Sequence, residues 1–211
     1  MAEGEHADVV DVGSTHHGPV GRVLAGDDAA STLHGSTCPV AVAPHGLAAA
    51  DWKPVQVIGV GFDASPEAHQ ALALAISIAE ECGASVAVQS VVATPVPFAD
   101  FTVYDSEWLE TSKEIAKDRL DEALAGATVD TTTDVTIGEP VKELTDLSET
   151  VDLLVVGSRA WGPVRRTVIG STAAKLMRQA HCPMLVIPRG VATGQPGERE
   201  PGIAAGEPAT T

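Results

Sequence analysis

With 211 residues and a formal net charge of −16, the chain is long enough for a full α/β domain and more, and too acidic to offer the broad basic face that extended nucleic acid requires. Its start, MAEGEHAD, lacks a charged-then-apolar signal pattern, and its longest apolar run, within ALALAISIA, is far too short to span a bilayer, so a cytoplasmic protein without membrane contact is expected. Three cysteines without metal or redox spacing suggest a reducing compartment, and His16-His17, His34 and His181-Cys182 lack the paired spacing of a zinc site, so no metal ligands are expected.

The first segment, Ala7 to Gly46, aligns without a gap to Val151 to Gly190 at an offset of 144 residues. Gly13, Gly18-Pro19-Val20, Arg22, Gly26, Ala29-Ala30, Cys38-Pro39, Pro44 and Gly46 all recur in the later copy. A period this long indicates tandem domains rather than a solenoid. Residues 1–46 are therefore expected to be the C-terminal part of a truncated first unit, with 47–53 as linker, 54–190 as a complete unit and 191–211, rich in Gly, Pro, Ala and Glu, as a disordered tail. Asp27-Asp28 stand where Ser171-Thr172 stand in the later copy, and two carboxylates at a helix start repel phosphate.

Within the complete unit, Gln56 to Gly61 (QVIGVG) reads as a buried strand ending in Gly. Ser65-Pro66-Glu67 supplies an N-cap, a proline at the first helical position and an early acidic residue, and the helix they open runs to Gly83. Ser85 to Val92 is a second strand. Trp108, Leu109, Ile115, Ala116, Leu120 and Leu124 recur at helical spacing between about Ser106 and Ala125. Thr131 to Ile137 is a polar strand suited to a sheet edge, and Glu139 to Ser148 a short helix.

The stretch from Val151 to Gly190 carries the chemistry. Leu153 to Val156 is an apolar strand stopped by Gly157; a loop with Arg, Gly and Pro follows; Gly170-Ser171-Thr172 open a helix; Met184 to Ile187 closes as a last strand. Backbone N–H groups at a helix start are unsatisfied and the dipole is positive there, which suits an anion. No Asp or Glu occurs between Leu153 and Gly190, while Arg159, Arg165, Arg166, Lys175, Arg178 and Arg189 all do. A cationic island on an acidic chain favours a compact anionic ligand. The spacing is neither a Walker loop nor a dinucleotide fingerprint. Strands alternating with helices imply an α/β protein, an open parallel five-stranded sheet with helices on both faces, whose ligands bind beyond the strand C-termini where strand order switches. Phe62 to Ser65 and Gly157 to Ser171 are the two loops that meet that rule.

These residues resemble the universal stress proteins, with an adenine-nucleotide α-hydrolase-like, Rossmann-like fold. The resemblance runs from VIGVGFDASPEA through Gly138-Glu139-Pro140 and DLLVVGS to CPMLVIP, and includes the pattern G-x-x-G-x9-G-[ST]. It implies an ATP-binding regulatory protein of stress response, with magnesium as an accompanying ion and no catalytic residues. Asp63, following Gly61 and Phe62, matches the acidic position that contacts adenine or ribose, and Val91 the position lining the adenine pocket. Val156-Gly157 begins the phosphate loop, which continues through Arg159 and Ala160, and Gly170, Ser171 and Thr172 match the positions that hold phosphate. Ala160 departs from the pattern by replacing its second glycine.

Other readings stand beside these. Gly157 and Gly170 could serve a tight turn and close helix packing, Asp63 a helix cap, Ser171 an N-cap, and Trp161 packing over the loop. A protein-interaction module of the same fold and a slow ATP hydrolase are the functional alternatives. Universal stress proteins commonly dimerise through the last strand, which implies a homodimer, or an internal pseudo-dimer that pairs Val40–Ala43 with Met184–Ile187.

Overall fold

The computed structural model describes residues 8–13, 36, 38–44, 53–93, 106–158 and 170–188. Two strands come from the first unit, β1 (Val10–Gly13) and β2 (Val40–Ala43). The complete unit supplies β3 (Val57–Gly61), α1 (Pro66–Cys82), β4 (Ser85–Ala93), α2 (Ser106–Leu124), β5 (Thr131–Gly138), α3 (Pro140–Leu147), β6 (Leu153–Gly157), α4 (Ser171–Gln179) and β7 (Met184–Ile187). Among the described residues no helix is long and apolar enough to cross a membrane.

Local chemistry sets the ends of these elements. Ser65 Oγ accepts the Ala68 N–H to cap α1, and Gly83 closes it in the left-handed region at φ 73°. At the other end of the sheet, Asp152 Oδ2 accepts the N–H groups of Gln56 at 2.9 Å and Val57 at 3.0 Å, which fastens the start of β3 to the start of β6.

All described strands join one sheet in the order β1-β2-β7-β6-β3-β4-β5. The sheet thus has seven strands, not the five expected from the complete unit alone. The five of that unit are mutually parallel, with β5 at the edge as its polar sequence predicts. The extra two arise because β7 would otherwise leave a row of backbone groups unpaired. β2 lies antiparallel against it, Val40 opposite Val186, Ala41 opposite Leu185 and Val42 opposite Met184, and β1 pairs parallel to β2. This register is symmetric under the internal repeat: the pairs Val40–Val186 and Val42–Met184 exchange, and Ala41–Leu185 maps onto itself, so a local two-fold passes through that pair.

Two apolar layers flank the sheet. On one face Leu154, Val156, Met184 and Val186, with Val40 and Val42 of β2, form one apolar cluster that also holds Val141 and Leu144 of α3 and Ala173, Leu176 and Met177 of α4. On the other, Ile58, Val60, Val86, Val88, Val155 and Ile187 pack beneath α1 and Leu120 of α2. Successive strand residues alternate between these layers, as period two requires.

Candidate functional site

The strand order places the switch point between β3 and β6. From β3 the chain winds outward to β4 and β5, and from β6 it returns on the other side to β7. Because each helix runs back against its preceding strand, the N-termini of α1, α3 and α4 all lie at the strands' C-terminal edge. Register brings the candidate residues together there: Gly61 stands opposite Val156 on one side and Gln89 on the other, and Val91 stands opposite Thr136.

The individual positions differ in what they offer. Asp63 Oδ1 accepts the Ser65 N–H at 3.0 Å, shaping the turn into α1, and is exposed at the crevice. Ala64 in that turn has φ 57°, a left-handed conformation that non-glycine residues hold only where the surroundings impose it. Phe62 is buried under α1 with its ring edge-on to His69 at 5.0 Å, so only its backbone faces a ligand; its N–H donates to the Gln89 carbonyl. Val156 is likewise a core side chain.

The packing role of Gly157 is direct. A Cβ there would stand 2.8 Å from Glu67 Cβ and 3.0 Å from the Glu67 carbonyl carbon, so this glycine lets the first turn of α1 settle onto β6. Gly170, not Ser171, is the N-cap of α4; having no side chain it leaves the first amides of the helix without a side-chain acceptor, and Ser171 is the exposed first helical residue. Thr172 follows it, half-buried. Arg159, Ala160, Trp161, Arg165 and Arg166 lie outside the described residues, as do Asp27-Asp28, the tail and most of the linker.

One residue at this edge escaped the motif. Gln89 is buried on β4, its Nε2 donates to Thr136 Oγ1 at 3.4 Å, and its Oε1 has no partner. The signal was a single amide in the apolar run SVAVQSVV. Ser158, directly after Gly157, is also buried with an unpartnered Oγ, while its N–H donates to the Ile187 carbonyl at 2.8 Å. Buried groups of this kind cost about 1–3 kcal/mol each when left unpaired. A polar group brought to the crevice would relieve that cost.

Two other features are ordinary by comparison. A groove of about 450 Å³ between α3 and α4 is lined by Lys142, Asp146, Lys175 and Arg178 among others, but its charges are matched: Lys142 meets Asp146 at 2.7 Å and Lys175 meets Glu139 at 4.0 Å. The hydrogen bond and charge of Asp146 hold the Lys142 ammonium above its usual value. Among the described residues, no group of three His, Cys, Asp or Glu is placed to hold a metal.

Two of the thiols are packing groups. Cys38 and Cys182 are buried, as expected for corresponding small hydrophobes, and Cys82 is exposed. Burial, reinforced by the charge of Asp152, pushes the Cys182 thiol up to about 12. Thiolate is the reactive form, so in the native protein at pH 8 a disulfide reagent is expected to titrate Cys82 promptly and Cys182 only on unfolding. Equal native rates, measured by mass spectrometry of labelled peptides, would contradict this burial.

A doubly wound α/β sheet with helix N-termini gathered at its switch point defines a class of proteins whose site is a crevice for a small polar ligand. The chain belongs to the universal stress protein family, whose signature matches residues 54–188. It is 28% identical over 189 residues to a universal stress protein of Mycobacterium tuberculosis, covering 85% of this chain and 61% of that protein. The chain therefore spans less than two thirds of the length of these mycobacterial relatives. A putative universal stress protein of Staphylococcus aureus is 27% identical over 135 residues, 61% of this chain and 81% of its own length. Among solved structures, a universal stress protein from Archaeoglobus fulgidus matches with 22% identity and a TM-score of 0.62, over 89% of this chain and 65% of its own. One from Lactobacillus plantarum matches with 23% identity and a TM-score of 0.54, over 64% of this chain and 99% of its own. These structural likenesses speak to the fold.

Proposed function

We propose that the chain is an adenine-nucleotide-binding regulatory protein of stress response, taking ATP with or without magnesium at the switch-point crevice and acting by binding rather than catalysis. The observation that carries this is the convergence of Gly61, Asp63, Val91, Gly157 and the uncapped start of α4 at one sheet edge, beside two buried polar groups with no partner. The amides of Ser171 and Thr172 would receive phosphate. Nucleotide occupancy would then alter what the chain associates with, in the cytoplasm.

The N-terminal residues read best as a partial copy of the same domain in a tandem arrangement. The β2–β7 pairing supports an internal pseudo-dimer over a homodimer through the same edge. A protein-interaction module without nucleotide is the second reading. What favours it is Ala160, which replaces the second glycine of the family pattern.

Calorimetric titration with ATP and magnesium decides between them. Micromolar binding is expected, and Ser171→Glu should weaken it at least tenfold without loss of fold, because a carboxylate suits an exposed first helical position but repels phosphate. Absence of binding by nucleotide-free wild-type protein would favour the interaction module.

A further inference from the structure

β1 and β6 are equivalent strands of the repeat with unequal neighbours. The offset of 144 residues carries Val10–Gly13 onto Leu154–Gly157. The pairing agrees: Val10 stands opposite Val40 as Leu154 stands opposite Met184, and the Val10 N–H donates to the Pro39 carbonyl at 2.9 Å as the Leu154 N–H does to that of Pro183. On its other side β6 receives β3, whereas among the described residues no strand pairs with the outer side of β1. Because the Val10 peptide faces β2, alternation turns the N–H and carbonyl groups of Val9 and Asp11 toward that open edge.

The open edge keeps the fittings for a strand. Asp152, whose Oδ2 accepts the Gln56 and Val57 N–H groups and so fastens the start of β3, has Asp8 as its counterpart, exposed just before β1. Val9 is the counterpart of Leu153, which faces Ile58, and it is 50% exposed. Two differences narrow the occupant. Asp11 stands where the complete unit has Val155, a member of the apolar layer with α1, and a Cβ on Gly13 meets nothing within 4 Å where Gly157 is pressed by α1. A charge in that place disfavours an apolar helix above the strand, so what fits is a strand alone. The residue of β3 that faces Val155 is Val60, and its equivalent in an incoming strand faces Asp11 and is best basic. A second copy of β1 would instead bring two more carboxylates to an edge that already carries two.

We propose that the outer edge of β1 is a docking site for an extended basic segment of another polypeptide, which adds to the sheet as a strand parallel to β1. Asp8 accepts backbone N–H groups at the start of that segment, Val9 meets an apolar side chain, and Asp11 pairs with a Lys or Arg two residues farther on. Main-chain hydrogen bonds supply the affinity, and the apolar-x-basic spacing supplies the selection. Without such a cation, two carboxylates beside one short strand discourage pairing, which keeps the edge from joining others of its kind. The edge is separated from β6 and the crevice by β2 and β7, so this assignment stands apart from the nucleotide reading.

The probe is a fluorescein-labelled peptide with the sequence of residues 54–62 carrying Val60→Lys, titrated with the full chain at low salt by fluorescence anisotropy. It reproduces the segment that β6 holds, which defines its register against β1. Saturable binding is expected, at least about fivefold tighter than for the same peptide with Val60→Glu, the effect of one attractive against one repulsive cross-strand pair. Asp11→Lys in the protein should reverse that preference, which general attraction of a basic peptide to an acidic chain would not do. Asp11→Pro removes an outward N–H without touching β2, and should abolish binding of both peptides with the melting temperature little changed. Asp8→Ala should weaken the Lys peptide severalfold. Binding of neither peptide by folded protein overturns the proposal, as does a preference for the Lys peptide that persists in Asp11→Lys. Self-association of the wild-type chain that Asp11→Pro removes would assign the edge to a second copy and overturn it too.

Discussion

Gly157→Ala is expected to lower the melting temperature by several degrees while Gly13→Ala, at the corresponding residue of the first unit, leaves it unchanged. The two glycines occupy the same place in the repeat and meet opposite surroundings. A Cβ on Gly157 would meet Glu67 and the Ala68 nitrogen at 2.8–3.2 Å, much of it backbone, so α1 must lift from β6; a Cβ on Gly13 would meet nothing within 4 Å. Overpacking of this kind costs about 1–3 kcal/mol, roughly 2–4 °C per kcal/mol for a chain of this size. Thermal melts of both variants measure the difference directly. A large loss at Gly13, or none at Gly157, would mean that the α1–β6 contact is not what holds that helix.

A larger fall is expected from Val42→Asp. Val42 is fully buried on β2, opposite Met184 of β7 and in the same apolar cluster as residues of α3 and α4. A carboxylate there has no counter-charge in the apolar layer, and the chain avoids burying it only by releasing the first unit from the sheet. Release forfeits the burial of Val40 and Val42, at about 1.5–3 kcal/mol each, a fall of roughly 10 °C. It also uncovers β7 as an open edge, so self-association should rise with concentration in sedimentation velocity. An unchanged melt together with an unchanged sedimentation profile would show that the β2–β7 contact contributes little.

Much of this architecture was legible in the residues because its signals are local. Ser65-Pro66 and Gly83 specify α1 with chemistry that needs no other part of the chain, and each does in the structure what its type predicts. The strands ending in Gly61 and Gly157 and the polar edge strand were readable from periodicity alone. The seven-strand sheet was not, since its width depends on which edge finds a partner, a property of tertiary pairing; the repeat gave only the candidate pair. The cap of α4 fell on Gly170 rather than Ser171, because a glycine in extended conformation serves there without a side chain, and a Ser beside it is an obvious but unused alternative. Gln89 was hidden for a different reason. Its significance lies in an unmatched atom, and whether a buried amide finds both its partners is decided by neighbours 47 residues away.

The pairing of β2 with β7 has a further consequence through its covalent nature. In a two-chain assembly, such an edge contact weakens on dilution, and its occupancy tracks how much protein the cell makes. Here the two strands belong to one chain, so the local concentration of one near the other is set by their covalent connection and not by dilution. Ala41 against Leu185 at the symmetry point also lets the two sides diverge, small against large, where two identical chains would have to place like against like. The contact is thereby insensitive to expression level.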